Sequence, residues 1–221
     1  SELIGLIGPN GAGKTTVFNL LTGVYRPTEG AFYVCGENMA GKKPHQVVAS
    51  GVARTFQNIR LFKKLTVLEN VKVAMNRTMK YSVAQALLRG GRYWAEEKET
   101  DARARALLRM VHLEEKAAYV AENLPYGQQR RLEIARALAT GMKVLLLDEP
   151  AAGMNPTETA ELLDIINDIR SQFHISVLLI EHDMSLVMKI CERIQGIDYG
   201  VTIASGTPEE IANHPRVIEA Y

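Results

Sequence analysis

The chain has 221 residues, of which 47% are apolar, so it is long enough to bury a substantial core as one large domain or a core with a lobe. Its 26 basic and 25 acidic residues leave a formal charge of +1, which excludes the basic footprint of a nucleic-acid binder. Cys35 and Cys191 are far apart and lack a Cys-x-x-Cys or Cys/His spacing, so both are expected as buried, reduced thiols.

The elements follow in chain order. A buried strand is expected at Leu3–Ile7, so close to Ser1 that residues upstream of the sequence given are expected to be missing. A helix at Lys14–Leu21, a strand at 31–35, a helix at 44–50 and a short apolar stretch at Val52 and Ala53 follow, an alternation that predicts a parallel α/β sheet. From residue 66 to about 116 strand signals vanish. There Leu68, Val71, Leu87, Leu88, Leu107, Leu108 and Val111 recur at helical spacing, interrupted by Gly90-Gly91, which reads as a helical lobe inserted into the sheet domain. A helix at 132–139 follows the lobe. Strands return at 144–147 and Ser176–Ile180, each nearly all apolar as central parallel strands are, with helices at 156–171 and 185–191. A hairpin at 195–199 and 201–204 and a short helix from Pro208 complete the chain. The apolar runs are strand-length and far short of the ~20 residues needed to span a bilayer, so membrane association must go through a partner.

Gly8-Pro9-Asn10-Gly11-Ala12-Gly13-Lys14-Thr15 matches the phosphate-binding P-loop and sits between a predicted strand and a predicted helix, as that motif requires. Its glycines let backbone N–H groups cradle phosphate oxygens at a helix N-terminus. Asn10, Gly11, Ala12, Gly13, Lys14, Thr15 and Thr16 are therefore the expected ATP-binding residues, with Lys14 on the β- and γ-phosphates and Thr15 on Mg²⁺. Asp148-Glu149 ends a buried strand, which places both carboxylates at the carboxyl edge of a parallel sheet, where ligands bind. Asp148 suits Mg²⁺, and Glu149 suits polarising the attacking water. An acidic strand end alone is usually only solvated; the upstream P-loop changes that reading.

These two motifs define a broad class of ATPases and GTPases, and no Asn-Lys-x-Asp guanine-reading motif is present. The subclass rests on Leu124-Pro125-Tyr126-Gly127-Gln128-Gln129, a second glycine-bearing anion site before a helix, which resembles the LSGGQ signature of ABC-type ATPases. Gln57 in Arg54-Thr55-Phe56-Gln57 resembles the Q-loop glutamine that reaches Mg²⁺ and the attacking water. Ala151-Ala152-Gly153-Met154-Asn155 is similar to the D-loop, and His182 in Glu181-His182-Asp183 to the switch histidine that contacts the γ-phosphate. Each alone has a plain structural explanation: Gln57 as a solvated polar residue, Asn155 as a helix cap, His182 as a satisfied loop histidine. Their joint order carries the resemblance over nearly the whole chain.

The resemblance implies an α/β fold of the ABC ATPase type: a P-loop core with a mostly parallel sheet and an inserted helical subdomain, its N-terminal β-subdomain truncated and with it the adenine-stacking aromatic. The expected division is one domain over 1–221, with 1–62 and 141–221 as RecA-like core and 63–140 as helical signature subdomain. Catalysis is assigned to Glu149, His182 and Gln57, metal binding to Thr15, Gln57 and Asp148, and contact with the ATP of an opposite subunit to Tyr126, Gly127 and Gln128. The implied cofactors are ATP and Mg²⁺. The implied partners are a second ABC ATPase in an ATP-dependent homodimer or heterodimer, transmembrane permease subunits and, indirectly, a solute-binding protein, with no nucleic acid. The implied location is the cytoplasmic face of the inner (plasma) membrane, held peripherally. Two features depart from the pattern: Pro125 replaces the usual serine and so lacks its hydroxyl, and Tyr126 replaces the first signature glycine. Beyond the shared motifs, Ala53-Arg54-Thr55-Phe56-Gln57-Asn58-Ile59-Arg60-Leu61-Phe62, Arg130-Arg131-Leu132-Glu133-Ile134-Ala135-Arg136 and the ending from Gly206-Thr207-Pro208 to Ala220-Tyr221 resemble branched-chain amino acid importer ATPases. Urea or amide import, lipopolysaccharide export and a soluble, non-transport ABC ATPase are the alternatives. The last would normally carry tandem cassettes, basic arms or a coiled coil.

Overall fold

The computed structural model describes residues 1–75 and 91–220. Leu87, Leu88 and Gly90 of the helical pattern, and Tyr221, lie outside the described residues. The chain forms two compact units, Ser1–Gln57 with Met142–Tyr221, and Asn58–Gly141.

The first unit is built on a six-stranded sheet in the order β4-β5-β6-β1-β7-β8. Its strands are β1 (Leu3–Ile7), β4 (Val52–Arg54), β5 (Val144–Asp148), β6 (Ser176–Ile180), β7 (Arg193–Asp198) and β8 (Val201–Gly206). All neighbours pair in parallel except β7 and β8, which form an antiparallel hairpin. Central strands such as β5 read as unbroken apolar runs because both of their faces are covered. On one face Leu6, Leu146, Ile180 and Ile197 meet Phe18 of helix α1 (Lys14–Leu21) and Val47 of helix α2 (Pro44–Ala49). Helices α6 (Pro156–Phe173) and α7 (Met184–Ile190) also belong to this unit. Gly5 on β1 is fitted to α7: a Cβ there would lie 2.8 Å from Val187 Cγ1 and 3.0 Å from Cys191 Sγ. That packing buries Cys191, and burial pushes its thiol pKa up to about 12.

Capping chemistry sets several helix ends. Asn155 Oδ1 accepts from the Glu158 N–H at 2.9 Å while Glu158 Oε2 accepts from the Asn155 N–H at 3.1 Å, with Pro156 following, so the sequence Asn-Pro-x-Glu fixes where α6 begins. Thr207 and Glu210 repeat the reciprocal cap at α8 (Pro208–Ala212), which precedes α9 (Pro215–Ala220).

Three expectations are corrected. The stretch 31–35 is not a strand of the main sheet; only Tyr33–Val34 (β2) is extended, and it pairs antiparallel with Glu37–Asn38 (β3) in a separate two-stranded hairpin. Cys35 and Gly36 form the tight turn with φ of 51° and 81°, the positive pair that two-residue hairpin turns demand. Cys35 is therefore exposed, not buried. Third, the helix expected at 132–139 begins six residues earlier, so its first turn is the glycine-bearing segment itself.

The second unit is helical: α3 (Val67–Met75), α4 (Gly91–Met110) and α5 (Tyr126–Ala139), with two short 3₁₀ turns at Glu114–Lys116 and Ala121–Asn123. Val67, Val71, Leu108, Val111 and Leu132 are buried, the one-sided pattern that helical spacing requires. Arg130 on α5 is 0% exposed, and its Nη1 donates to Glu133 Oε2 at 2.7 Å, one turn along the same helix. A guanidinium survives at such a site only when paired and hydrogen-bonded.

Candidate active site

In the first unit the carboxyl ends of β1, β4, β5 and β6 all lie at one edge of the sheet, and the chain leaving each carries a singled-out residue. This is where open parallel sheets bind ligands. The P-loop follows β1. Gly13 caps α1 with φ of 102°, a left-handed conformation that a side chain would strain. The β7–β8 turn braces the loop, Gly200 N–H donating to the Ala12 carbonyl at 2.8 Å. Residues Asn10 to Thr16, together with Glu149, Ile180 and His182, line a cavity of about 240 Å³.

Lys14 is buried beneath this loop, and its ammonium donates to the carbonyls of Gly8 and, at 3.1 Å, of Pro9. Burial lowers its pKa, an effect partly offset by the negative charge of Glu149. A desolvated ammonium hydrogen-bonded to neutral carbonyls gains from exchanging them for an anion. Thr15 and Thr16 are exposed in the same cavity.

Asp148 and Glu149 end β5 with opposite surroundings. Asp148 is 6% exposed, and its Oδ2 accepts from Arg54 Nη2 at 2.6 Å. Arg54 Nη1 donates to Asn19 Oδ1 at 2.7 Å, and the guanidinium lies 5.3 Å from the centre of the Phe18 ring and 4.9 Å from that of Phe56. Glu149 turns out of the sheet with φ of 47°, a costly conformation for a side-chain-bearing residue and one that clusters at functional sites. Its N–H donates to the Ile180 carbonyl at 2.9 Å. Its carboxylate takes two contacts, His182 Nε2 to Oε1 at 2.7 Å and Gln57 Nε2 to Oε2 at 2.8 Å. Because a carboxylate only accepts, His182 Nε2 is the donor here.

The fold thus brings Asn10 to Thr16, Glu149, His182 and Gln57 together. It turns Asp148 toward Arg54 and uses Gln57 on Glu149. Tyr126, Gly127 and Gln128 belong to the other unit, as the first turn of α5, where Gln129 N–H to the Pro125 carbonyl at 3.0 Å is the first helical bond. Their three N–H groups therefore have no partner within the helix, the geometry of an anion site at a helix N-terminus. Gln128 Oε1 accepts from Lys116 Nζ at 2.7 Å.

Sequence reasoning missed Arg54 and Glu181. Arg54 is in register with Leu146, two residues short of Asp148, so the β4–β5 pairing brings it there. Glu181, 5% exposed, accepts from the Ala151 N–H at 2.8 Å and the His182 N–H at 3.3 Å. Burial raises its pKa, partly offset by those two bonds.

A family profile described as ABC transporter matches residues 1–152, and one described as branched-chain amino acid ATP-binding cassette transporter matches residues 201–221. The high-affinity branched-chain amino acid transport ATP-binding protein LivG of Escherichia coli (strain K12) is 48% identical over 220 residues, covering 100% of this chain and 86% of the relative. Among solved structures, the ADP conformation of MJ1267, an ATP-binding cassette of an ABC transporter, superposes with a TM-score of 0.84 at 29% identity, over 100% of this chain and 87% of that one. A dimeric post-hydrolysis state of the ATP-binding cassette MJ0796 bound to ADP and Pi superposes with a TM-score of 0.77 at 25% identity, over 94% of this chain and 85% of that one. The chain belongs to the ATP-binding cassette family of transporter subunits, whose members hydrolyse ATP to power transport.

Proposed function

We propose that this chain hydrolyses Mg-ATP in the P-loop cavity and drives a membrane permease that imports branched-chain amino acids. One observation carries the chemical part: the Glu149 carboxylate is held from both sides, by His182 and Gln57, at the wall of a cavity otherwise lined by a P-loop. Lys14 exchanges its carbonyl partners for the β- and γ-phosphates, and the loop's backbone cradles them. Glu149 orients and polarises the attacking water, Gln57 fixes the carboxylate, and His182 presents a donor beside the γ-phosphate position. The donor set fits Mg²⁺: the Thr15 hydroxyl, the Gln57 amide oxygen and the Asp148 carboxylate, whose Oδ2 accepts from Arg54, are hard oxygen ligands. Held there, the ion would supply positive charge against the charge that develops on the transferred phosphate. Among the described residues no helix is long and apolar enough to cross a membrane; membership of a family of transporter ATP-binding subunits supports peripheral attachment to the cytoplasmic face of the inner membrane through permease subunits. The name of the 48%-identical relative supports the substrate class. Reconstitution with the permease and solute-binding protein that copurify from membranes tests it: leucine, not urea, should stimulate ATP turnover, and stimulation by urea alone would overturn it.

The first turn of α5 supports an ATP-dependent dimer with a second copy or a sister ATPase, in which Tyr126, Gly127 and Gln128 meet the γ-phosphate held by the opposite P-loop. Pro125 occupies the N-cap of α5 without a capping side chain. Pro125→Ser supplies a hydroxyl that caps the helix, an effect of about 1 kcal/mol, or donates to the phosphate, about 1.5–3 kcal/mol. ATP-driven dimerisation or hydrolysis should rise several-fold, and equal or lower activity with folding intact decides against this role.

Residues 59–62 are the proposed docking segment for a short cytoplasmic helix of the permease. Asn70 holds the Phe62 backbone at both its N–H and its carbonyl, each at 3.0 Å, and Arg136 lies over the ring at 4.9 Å. The ring is nevertheless 47% exposed, more than packing requires. Phe62→Ala should spare the isolated subunit's ATP hydrolysis and impair solute-stimulated turnover in membrane vesicles at least threefold, because coupling needs differential binding to the partner. Normal coupling would place the docking surface elsewhere.

A further inference from the structure

We propose that Glu181 is a positioning residue for hydrolysis: its buried carboxylate staples together the two loops that carry Glu149 and His182. The inference rests on the catalytic reading of Glu149 above. Strands β5 and β6 pair as far as Asp148 and Ile180, so the residues just beyond, Glu149 and Glu181, leave the sheet side by side. From there the loops diverge, and two cross-links hold them. One is backbone to backbone, Glu149 N–H to the Ile180 carbonyl at 2.9 Å. The other depends on a side chain: Glu181 Oε1 accepts from Ala151 N–H, two residues past Glu149, while Oε2 accepts from the N–H of His182.

The staple therefore grips the backbone on both sides of the His182–Glu149 contact, whose 2.7 Å length leaves little slack. It also closes the turn in which Glu149 sits at φ of 47°, with Ala152 N–H donating to the Glu149 carbonyl at 3.2 Å. A strained turn persists only where its surroundings over-determine it. Glu181 further lines a larger cleft of about 490 Å³ together with Glu149, Ala151, His182, Asp183 and Lys189. A carboxylate there is held against its own desolvation, since burial raises the Glu181 pKa. Packing alone would be served better by a neutral side chain, which points to the charge-assisted pair of backbone bonds as what the residue supplies.

Glu181→Gln and Glu181→Ala in the full chain test the assignment. Glutamine keeps one accepting oxygen but opposes its NH₂ to the other N–H, so turnover at saturating ATP should fall at least tenfold. Binding of the non-hydrolysable analogue AMP-PNP with Mg²⁺ should stay within threefold. Hydrogen exchange at the Ala151 amide should quicken at least tenfold in Glu181→Ala. The stability sign separates positioning from support. A carboxyl whose pKa is raised on folding contributes stability that is present below its ordinary value of 4.5 and lost as pH rises through the folded value. Glu181→Gln is free of that desolvation, so it should keep a cooperative melt and nucleotide binding while turning over more slowly. Turnover within twofold of the parent, or a fall in turnover accompanied by a lower melting temperature and lost nucleotide binding, would overturn the proposal. A parent chain that does not hydrolyse ATP would instead sink the catalytic reading, and the Ala151 exchange rate would still report whether the staple exists.

Discussion

Glu149→Gln should bind Mg-ATP about as well as the parent and hydrolyse it at least a hundredfold more slowly, accumulating an ATP-bound dimer. The substitution preserves shape and removes only charge and one acceptor. In the parent both carboxylate oxygens face donors, His182 Nε2 and Gln57 Nε2. An amide must turn its NH₂ toward one of them: toward Gln57 the contact becomes donor against donor, toward His182 it requires the imidazole to switch to its Nδ1–H tautomer, and in either case the group that polarises water is neutral. Phosphoryl transfer is mainly positioning and charge stabilisation, and removing one preorganised group of this kind costs about 2.7–4 kcal/mol, or roughly 10²–10³ in rate. Phosphate release at saturating ATP measures the loss, and size-exclusion with ATP measures the trapped dimer. Turnover within threefold of the parent would remove Glu149 from its role.

Local signals made most of the sheet legible. Leu3–Ile7 and Ser176–Ile180 are apolar runs bounded by polar turns, and both fall where the sequence places them. The P-loop was readable because its glycines, its lysine and its strand-to-helix setting are contiguous. What escaped depends on backbone conformation or on distant partners. Cys35 sits in an apolar stretch, but a positive φ there turns the chain back on itself and exposes the thiol. The start of α5 escaped because Pro125 caps it without a side-chain hydrogen bond, so no Ser, Thr, Asp or Asn marks the boundary. The two contacts of Glu149 join residues 33 and 92 positions apart, and the Glu181 staple reaches back 30. No periodicity encodes such pairs; the strand order of the sheet creates them.

Arg54 is the strongest case of that kind, and its removal should produce the largest loss of stability among the substitutions considered. Its guanidinium meets Asp148 94 positions away, with side-chain exposures of 6% and 9% for the two partners. It also bridges to Asn19 on α1 and lies over two aromatic rings, so one cation ties β4, β5 and the helix that follows the P-loop. Arg54→Met keeps much of the apolar stem and leaves Asp148 charged, buried and unpaired. Breaking a buried pair from one side costs about 3–5 kcal/mol, because the stranded charge keeps its desolvation penalty. Urea unfolding followed by circular dichroism should show a loss of that size. Adding Asp148→Asn removes the stranded charge, so the double variant should be more stable than the sum of the two single losses predicts, by roughly 0.5–3 kcal/mol. That cycle reads stability alone and is independent of Asp148's part in hydrolysis. A loss below about 1 kcal/mol in Arg54→Met, or strict additivity in the double variant, would put this pair in the class of exposed surface ion pairs and leave the seating of Asp148 to its backbone alone.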